Sequence, residues 1–267
     1  MKEYLSFFRL RFSMGLQYRA AALAGVVTQF AWGFMLIMVF RAFYEADPEA
    51  FPMTFSATVS YLWLQQAFLA LFATWMMESE IFDTVVNGNI AYELCRPIHI
   101  YHMWFSRSLA NRLSRALLRC LPILLVASVL PKPYGIEAPA SGMHFVLFLI
   151  TLLLGLFVTV AFCMLVYGLT FFTISAQGVR MVFASMLDFF SGGVIPIPFF
   201  PEKLRAVIEL SPFAAMQNVA LRVYSGSMTA AQMQRTVALQ VFWLIVLVLC
   251  GNLLCRYAER KVTVQGG

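Results

Sequence analysis

Apolar residues along this chain gather in blocks of about 20, the length a helix needs to cross roughly 30 Å of hydrocarbon at 1.5 Å per residue. Six blocks are read, at residues 20–40, 55–77, 116–130, 145–174, 181–195 and 237–255. The third is short and preceded by arginines. The fourth is longer than a bilayer needs, so it tilts or extends beyond the lipid. Barrel strands would alternate apolar and polar residues, and these blocks do not. The pattern predicts an all-α polytopic membrane protein with six transmembrane helices.

Composition agrees with the pattern. Of 267 residues, 61% are hydrophobic and only 12% charged, with a mean hydropathy of +0.78. A soluble chain would be near half apolar and a quarter charged. Lysine and arginine placement sets the expected orientation. With both termini inside, the inner segments hold 13 of the 19 basic residues and the outer segments 6, the latter being Arg41, Lys132, Lys203, Arg205, Arg222 and Arg235. Glu45, Asp47 and Glu49 then fall outside. The pI near 9.2 therefore reports topology and attraction to anionic inner-leaflet lipid; no nucleic-acid motif is present. The first apolar block is too long for a signal-peptide core and lacks a small-residue cleavage site, so it is expected to stay as a span. Cys95, Cys120, Cys163, Cys250 and Cys255 fall in predicted spans or on the inner side, which argues against disulfides. No internal repeat or low-complexity linker divides the chain, so residues 1–267 are read as one domain.

Four segments outside the spans carry most of the information. In residues 3–19, Tyr4, Leu5, Phe8, Phe12 and Leu16 recur at helical spacing among Arg9, Arg11 and Arg19. This predicts an interfacial helix along the inner headgroups, whose apolar content exceeds what a basic flank needs. In residues 78–98, Ile81, Phe82, Val85 and Val86 form an apolar stripe, with Glu78, Glu80, Asp83 and Asn87 facing away from it. Gly88 suits the left-handed position that ends a helix, and Pro97 blocks continuation. A short amphipathic docking helix and a solvated loop both fit that composition.

The third segment places Arg112, Arg115 and Arg119 at i, i+3 and i+7, so they share one helix face. Snorkelling to inner headgroups is the ordinary role for such a face; contact with an acidic partner or an anionic substrate is the other. His99 and His102 lie nearby, but no cysteine or carboxylate is arranged to complete a metal site with them, and none is read. The fourth segment opens with SGGVIPIPFFPE at 191–202. Gly192, Gly193, Pro196, Pro198 and Pro201 interrupt a strongly apolar run, and each breaker costs about 1 kcal/mol (glycine) or 3 kcal/mol (proline) in a helix interior. A short helix is expected over 202–210, and Pro212 and Phe213 begin another that ends at 224–226. Non-helical backbone at membrane depth needs shielding by protein or a wet cavity. Thr229 and Gln232 offer a capping box for the last helix.

These features together resemble the transmembrane subunit of a type-2 ATP-binding-cassette (ABC-2) exporter, over nearly the whole chain. The closest local matches are GNIAYELCRPI at 88–98 and GGVIPIPFFPEKLRAVIELSPF at 192–213. The subgroup whose genes encode two permeases beside one ATPase is the nearest. The resemblance implies that 78–90 is a coupling helix seated in a groove of the ATPase, through Glu78, Glu80, Ile81, Phe82, Asp83, Val85, Asn87 and Gly88. It also implies that 3–19 is a connecting helix and that 196–226 forms extracellular re-entrant helices roofing a central cavity. It implies a bacterial cytoplasmic membrane location, with both termini cytoplasmic.

No G-x-x-x-x-G-K-[ST] phosphate loop occurs in the chain. The resemblance therefore implies that ATP and Mg are bound by two copies of a separate ATPase subunit, and no catalysis is expected here. A second permease, the same chain or a sister, has to complete the pathway. Asp188 is the one ionisable residue well inside a predicted span, where it costs about 2.5–3.5 kcal/mol and should face protein or water. It is read either as a pathway residue or as a group that joins helices. Gln29, Gln65 and Gln66 are weaker pathway candidates, since buried amides ordinarily join helices at about 0.6 kcal/mol each. A membrane-embedded lipid-modifying enzyme would need convergent acid, base or metal groups. A secondary transporter would need paired broken spans; only one broken region is visible in the sequence. The substrate class left by this reading is hydrophobic or amphiphilic.

Overall fold

The computed structural model describes residues 2–47, 51–173 and 175–261. No strand occurs among them. Glu49 and Ile174, used above to mark an outer loop and the end of the fourth block, lie outside the described residues. The helices in chain order are α1 (Lys2–Gly15), α2 (Arg19–Ala46), α3 (Phe55–Ala67), α4 (Leu69–Phe72), α5 (Ser79–Val86), α6 (Ile90–Leu94), α7 (Ile100–Val129), α8 (Gly142–Leu169), α9 (Ala176–Phe190), α10 (Glu202–Leu210), α11 (Asn218–Tyr224) and α12 (Ala230–Lys261). Short 3₁₀ turns lie at Thr74–Met76, Thr170–Phe172 and Ile197–Phe199.

Among the described residues, three helices are long and apolar enough to cross a membrane: Arg19–Ala46, Gly142–Phe172 and Ala230–Lys261. The first, fourth and sixth apolar blocks lie within or along them. The last begins with the expected cap, Thr229 N–H donating to Gln232 Oε1 at 2.9 Å and Gln232 N–H to Thr229 Oγ1 at 3.3 Å. The other blocks depart from simple spans. The third is the far half of α7, whose 30 residues begin at Ile100. The fifth is displaced: α9 starts at Ala176 and stops at Phe190, about 22 Å of helix at 1.5 Å per residue. The second, 55–77, is not one helix. It breaks at Phe68 and again at Ala73, into α3, α4 and a 3₁₀ turn.

Helix α8 is the centre of the packing. Leu156, Val158, Val160, Ala161, Cys163, Met164, Val166 and Tyr167 on it are fully buried, within one apolar core shared with α4, α7, α11 and α12. One end of the bundle gathers α1, α5, α6 and the start of α7. There Tyr4 Oη accepts from His99 N–H at 3.1 Å, and a Cβ on Gly251 of α12 would meet the Tyr101 ring at 2.8 Å. The opposite end gathers the start of α3, the 131–141 loop and the start of α8, with Trp63 Nε1 donating to Tyr134 O at 2.8 Å.

The chain between α9 and α12 enters this bundle from that second end. Tyr224 packs on Phe148 near the start of α8, with ring centroids 5.1 Å apart. Phe213 packs on Phe162, at 5.8 Å. The step from Phe148 to Phe162 along α8 is roughly 21 Å at 1.5 Å per residue. Residues 211–217 thus reach far into the bundle before α11 climbs back. Gly155 permits the approach, because a Cβ there would collide with the Met216 carbonyl oxygen. Helix α10 takes the bounds expected of it. The second short helix starts at Asn218 rather than at Pro212, because 212–217 is turn.

Candidate functional site

Among the described residues, two places besides the 211–217 turn interrupt helical backbone inside the bundle, and side chains distant in sequence take up the freed carbonyls at both. In the α3–α4 segment, Gln29 Nε2 of α2 donates to Gln66 O at 2.9 Å. Arg112 of α7 donates to Leu71 O at 2.8 Å and Ala73 O at 3.0 Å, and its other terminal nitrogen lies 3.4 Å from Cys163 Sγ. After α9, Gly192 adopts φ +85, a backbone region glycine enters without steric cost. Gln65 Nε2 of α3 donates to Gly192 O at 3.0 Å and Gly193 O at 2.7 Å. Gln217 Nε2 donates to Ser191 O at 3.3 Å. Deeper in, Gln240 Nε2 of α12 donates to Thr151 O and Ala215 O at 3.1 and 2.9 Å. Pro196 and Pro198 are buried beside the 3₁₀ turn, Pro201 directly precedes α10, and Pro212 follows it.

The expected basic face does not exist as one surface. Arg112 is 1% exposed and serves backbone carbonyls instead of headgroups. The physical reason is the break in α3–α4, which leaves acceptors that a charged donor satisfies at about 1.5–3 kcal/mol each. Arg115 and Arg119 are half-buried. Both line a groove of about 340 Å³ between α1, α2 and α7, together with Arg11, Tyr18, Glu78 and Glu80.

Arg119 also lines a second cavity, of about 510 Å³, bounded by α2, the broken α3–α4 segment, α7 and the end of α9. Gln29, Gln66 and Asp188 line it too, so the structure brings together three of the four expected pathway residues. Gln65 lies elsewhere, as a cap on the glycine turn. Trp32, Leu36, Leu69, Trp75 and Met76 supply apolar and aromatic wall. The sequence carried no sign of Arg119 facing Asp188, because the two are far apart in the chain and meet only across the fold.

Helix α5 docks through Ile81 and Phe82, both buried. The Phe82 ring lies 5.0 Å from Tyr167 of α8 and 5.7 Å from the Arg180 guanidinium of α9. Tyr167 Oη accepts from Glu78 N–H at 2.7 Å. Val85 is half-buried, whereas Asp83, Val86, Asn87 and Gly88 are exposed. Gly88, at φ +72, follows the helix end as expected. The acidic face is not the continuous one the spacing suggested. Glu78 precedes the helix in an extended conformation and is 8% exposed. Glu80 pairs within the chain, with Arg107 of α7 and with Arg11 of α1 at 3.5 Å. Sequence reasoning missed Arg107 as a partner and Tyr92, 75% exposed on α6, as part of the solvent-facing surface beside α5; a lone tyrosine after the glycine was the available signal.

Broken helices inside an apolar bundle, a cavity lined by opposite charges and a short amphipathic helix at one end are thus held in one fold. No curated protein matches the chain in a sequence search. The family model described as "ABC-2 family transporter protein" matches residues 24–266, which takes in most of α2, every element from α3 to α12 and both breaks. This chain therefore belongs to the ABC-2 family of transporter proteins, as a multi-pass membrane permease.

Proposed function

We propose that this chain is one permease half of an exporter, with six membrane crossings and both termini in the cytoplasm of a bacterial cell. Besides the three long helices, α3–α4, α7 and α9 complete the crossings, the short α9 being extended by its turn at 191–193. Residues 78–90 dock two copies of an ATPase to a pair of permeases, one ATPase per half. ATP and Mg are bound by those ATPase subunits. The second permease is a copy or a sister chain. The substrate is amphiphilic and leaves the cytoplasm or the inner leaflet.

The observation that carries this reading is the way α5 is gripped. Glu80 ties it to Arg107 of α7, and Phe82 sits against Arg180 of α9. The two charged residues of the cavity between α2, α3–α4, α7 and α9 lie further along those same helices, Arg119 on α7 and Asp188 on α9. Those positions are roughly 18 Å and 12 Å along their helices from the grip, at 1.5 Å per residue. Displacement of α5 by a closing ATPase would therefore move both charged walls of the cavity. Asp83, Val86, Asn87 and Tyr92 remain free to meet the ATPase.

Co-expression with a candidate ATPase and gentle solubilisation tests the reading. The ATPase is expected to copurify. Asp83→Lys combined with Val86→Asp is expected to lower its recovery about tenfold, the equivalent of about 1.4 kcal/mol, with the amount of permease in the membrane unchanged. Undiminished recovery in the double variant would remove α5 from the contact.

A further inference from the structure

The cavity of about 510 Å³ between α2, α3–α4, α7 and α9 holds one basic and one acidic side chain, Arg119 and Asp188. They do not neutralise each other: none of the ion pairs among the described residues joins them, and neither pairs with another charge. Each lies against a glycine. A Cβ on Gly25 would stand 2.7 Å from Arg119 Cζ, and one on Gly193 would stand 2.5 Å from Asp188 Oδ1. The backbone therefore leaves room for both groups at the cavity wall.

Two polar atoms there are also unspent. Arg119 Nε and Gln29 Oε1 are buried and have no hydrogen-bond partner, although Gln29 is 3% exposed as a residue. A buried polar atom without a partner costs about 1–3 kcal/mol, so a ligand that supplies one is favoured. The remaining wall is apolar and aromatic, with Trp32, Trp75 and Leu69. Tryptophan faces also attract ammonium groups.

We propose that this cavity binds a zwitterionic amphiphile whose phosphate meets Arg119, whose ammonium group meets Asp188, and whose tail lies on the tryptophan and leucine wall. The proposal rests on the permease reading for its meaning but not for its measurement. A guanidinium presents paired donors that match phosphate oxygens, and a carboxylate receives an ammonium group. A fatty acid would leave Asp188 facing an anion or unpaired. An alkylamine would leave Arg119 facing a cation or unpaired. The groove on the other side of Arg119 is of mixed charge, lined by Arg11 and Arg115 and also by Glu78 and Glu80, so the assignment of the phosphate to Arg119 rests on the cavity alone.

The test uses the full chain alone in detergent, without an ATPase, so its outcome is separate from ATPase copurification. Native mass spectrometry counts bound lyso-phosphoethanolamine, a fatty acid and an alkylamine of the same tail length, and phosphoethanolamine with no tail. The zwitterionic amphiphile is expected to be retained at about tenfold lower concentration than any of the other three. Arg119→Gln should abolish its advantage over the alkylamine, and Asp188→Asn its advantage over the fatty acid. Arg119→Lys should restore part of the preference, and Arg235→Gln, an exposed charge change on α12, should leave it intact. Equal retention of the amphiphiles by the unaltered chain would overturn the proposal without recourse to any variant. So would preferences unchanged in both Arg119→Gln and Asp188→Asn. Retention of the tail-free head at the same concentration would overturn it too, by assigning the cavity to a soluble zwitterion.

Discussion

The two breaks in this bundle look alike in structure and unlike in sequence. Residues 191–201 carry two glycines and three prolines, whereas residues 66–77 carry none. Yet both expose carbonyls inside an apolar bundle, and both have them taken by side chains distant in sequence. Gln65 and Gln217 serve the first, and Gln29 and Arg112 the second. The comparison separates two causes. Glycine and proline make a helix unlikely to continue, whatever surrounds it. Partner groups make its interruption tolerable where water is absent. The α3–α4 break has only the second cause, so it should depend on its partners more heavily.

Removing Arg112 is expected to have the largest effect. Arg112→Leu deletes two charge-assisted hydrogen bonds and strands the Leu71 and Ala73 carbonyls. At about 1.5–3 kcal/mol for each such bond, a loss of about 3 kcal/mol or more is expected. Part of this is offset because a buried cation is costly in itself, so Arg112→Lys should fall between the two. Reversible unfolding in mixed micelles measures the difference. A leucine variant as stable as the parent would mean that α3–α4 breaks for some other reason.

Much of the helical layout was legible because it rests on local terms. The long apolar blocks, the cap of Thr229 and Gln232, the bounds of α10 and the end of α5 at Gly88 each follow from neighbours in sequence. What was not legible depends on contacts made across the fold. Nothing near Phe68 signals a break, since its partners lie on α2 and α7. The spacing of Arg112, Arg115 and Arg119 correctly places them on one helix, but not which of them the bundle encloses. Glu80 reads as a solvated acid until α7 brings Arg107 to it. Gln29 and Asp188 were separable from Gln65 only once the cavity had walls.

Gln65→Leu should rank next. One amide serves two carbonyls, and neutral hydrogen bonds contribute about 0.5–1.5 kcal/mol each. A loss of about 1–2 kcal/mol is expected, smaller than for Arg112→Leu because Gly192 and the prolines still favour the turn. If the order of the two variants is reversed in the same unfolding assay, long-range capping matters more where breakers are present, which is the opposite of the comparison drawn above.

Pro196→Ala should cost least, and its cost should depend on Gln65. Pro196 stands at φ −54 and ψ 135, ahead of the 3₁₀ turn, a conformation alanine also adopts. The hydrogen bond from Phe199 N–H to Pro196 O, at 3.0 Å, survives the change. The loss then comes mainly from the greater freedom of the unfolded chain, about 0.4–1 kcal/mol. Gln65 and Gln217 continue to hold residues 191–193 in place. With Gln65 already replaced by leucine, that second restraint is weakened and the local one carries more of the turn. The same Pro196→Ala step should then cost at least about 0.5 kcal/mol more, the scale on which coupled sites depart from additivity. A double-mutant cycle built from the four proteins measures this difference. Strict additivity would show that the proline and the glutamine act on the turn independently, and that the breakers are not a reserve for the missing amide.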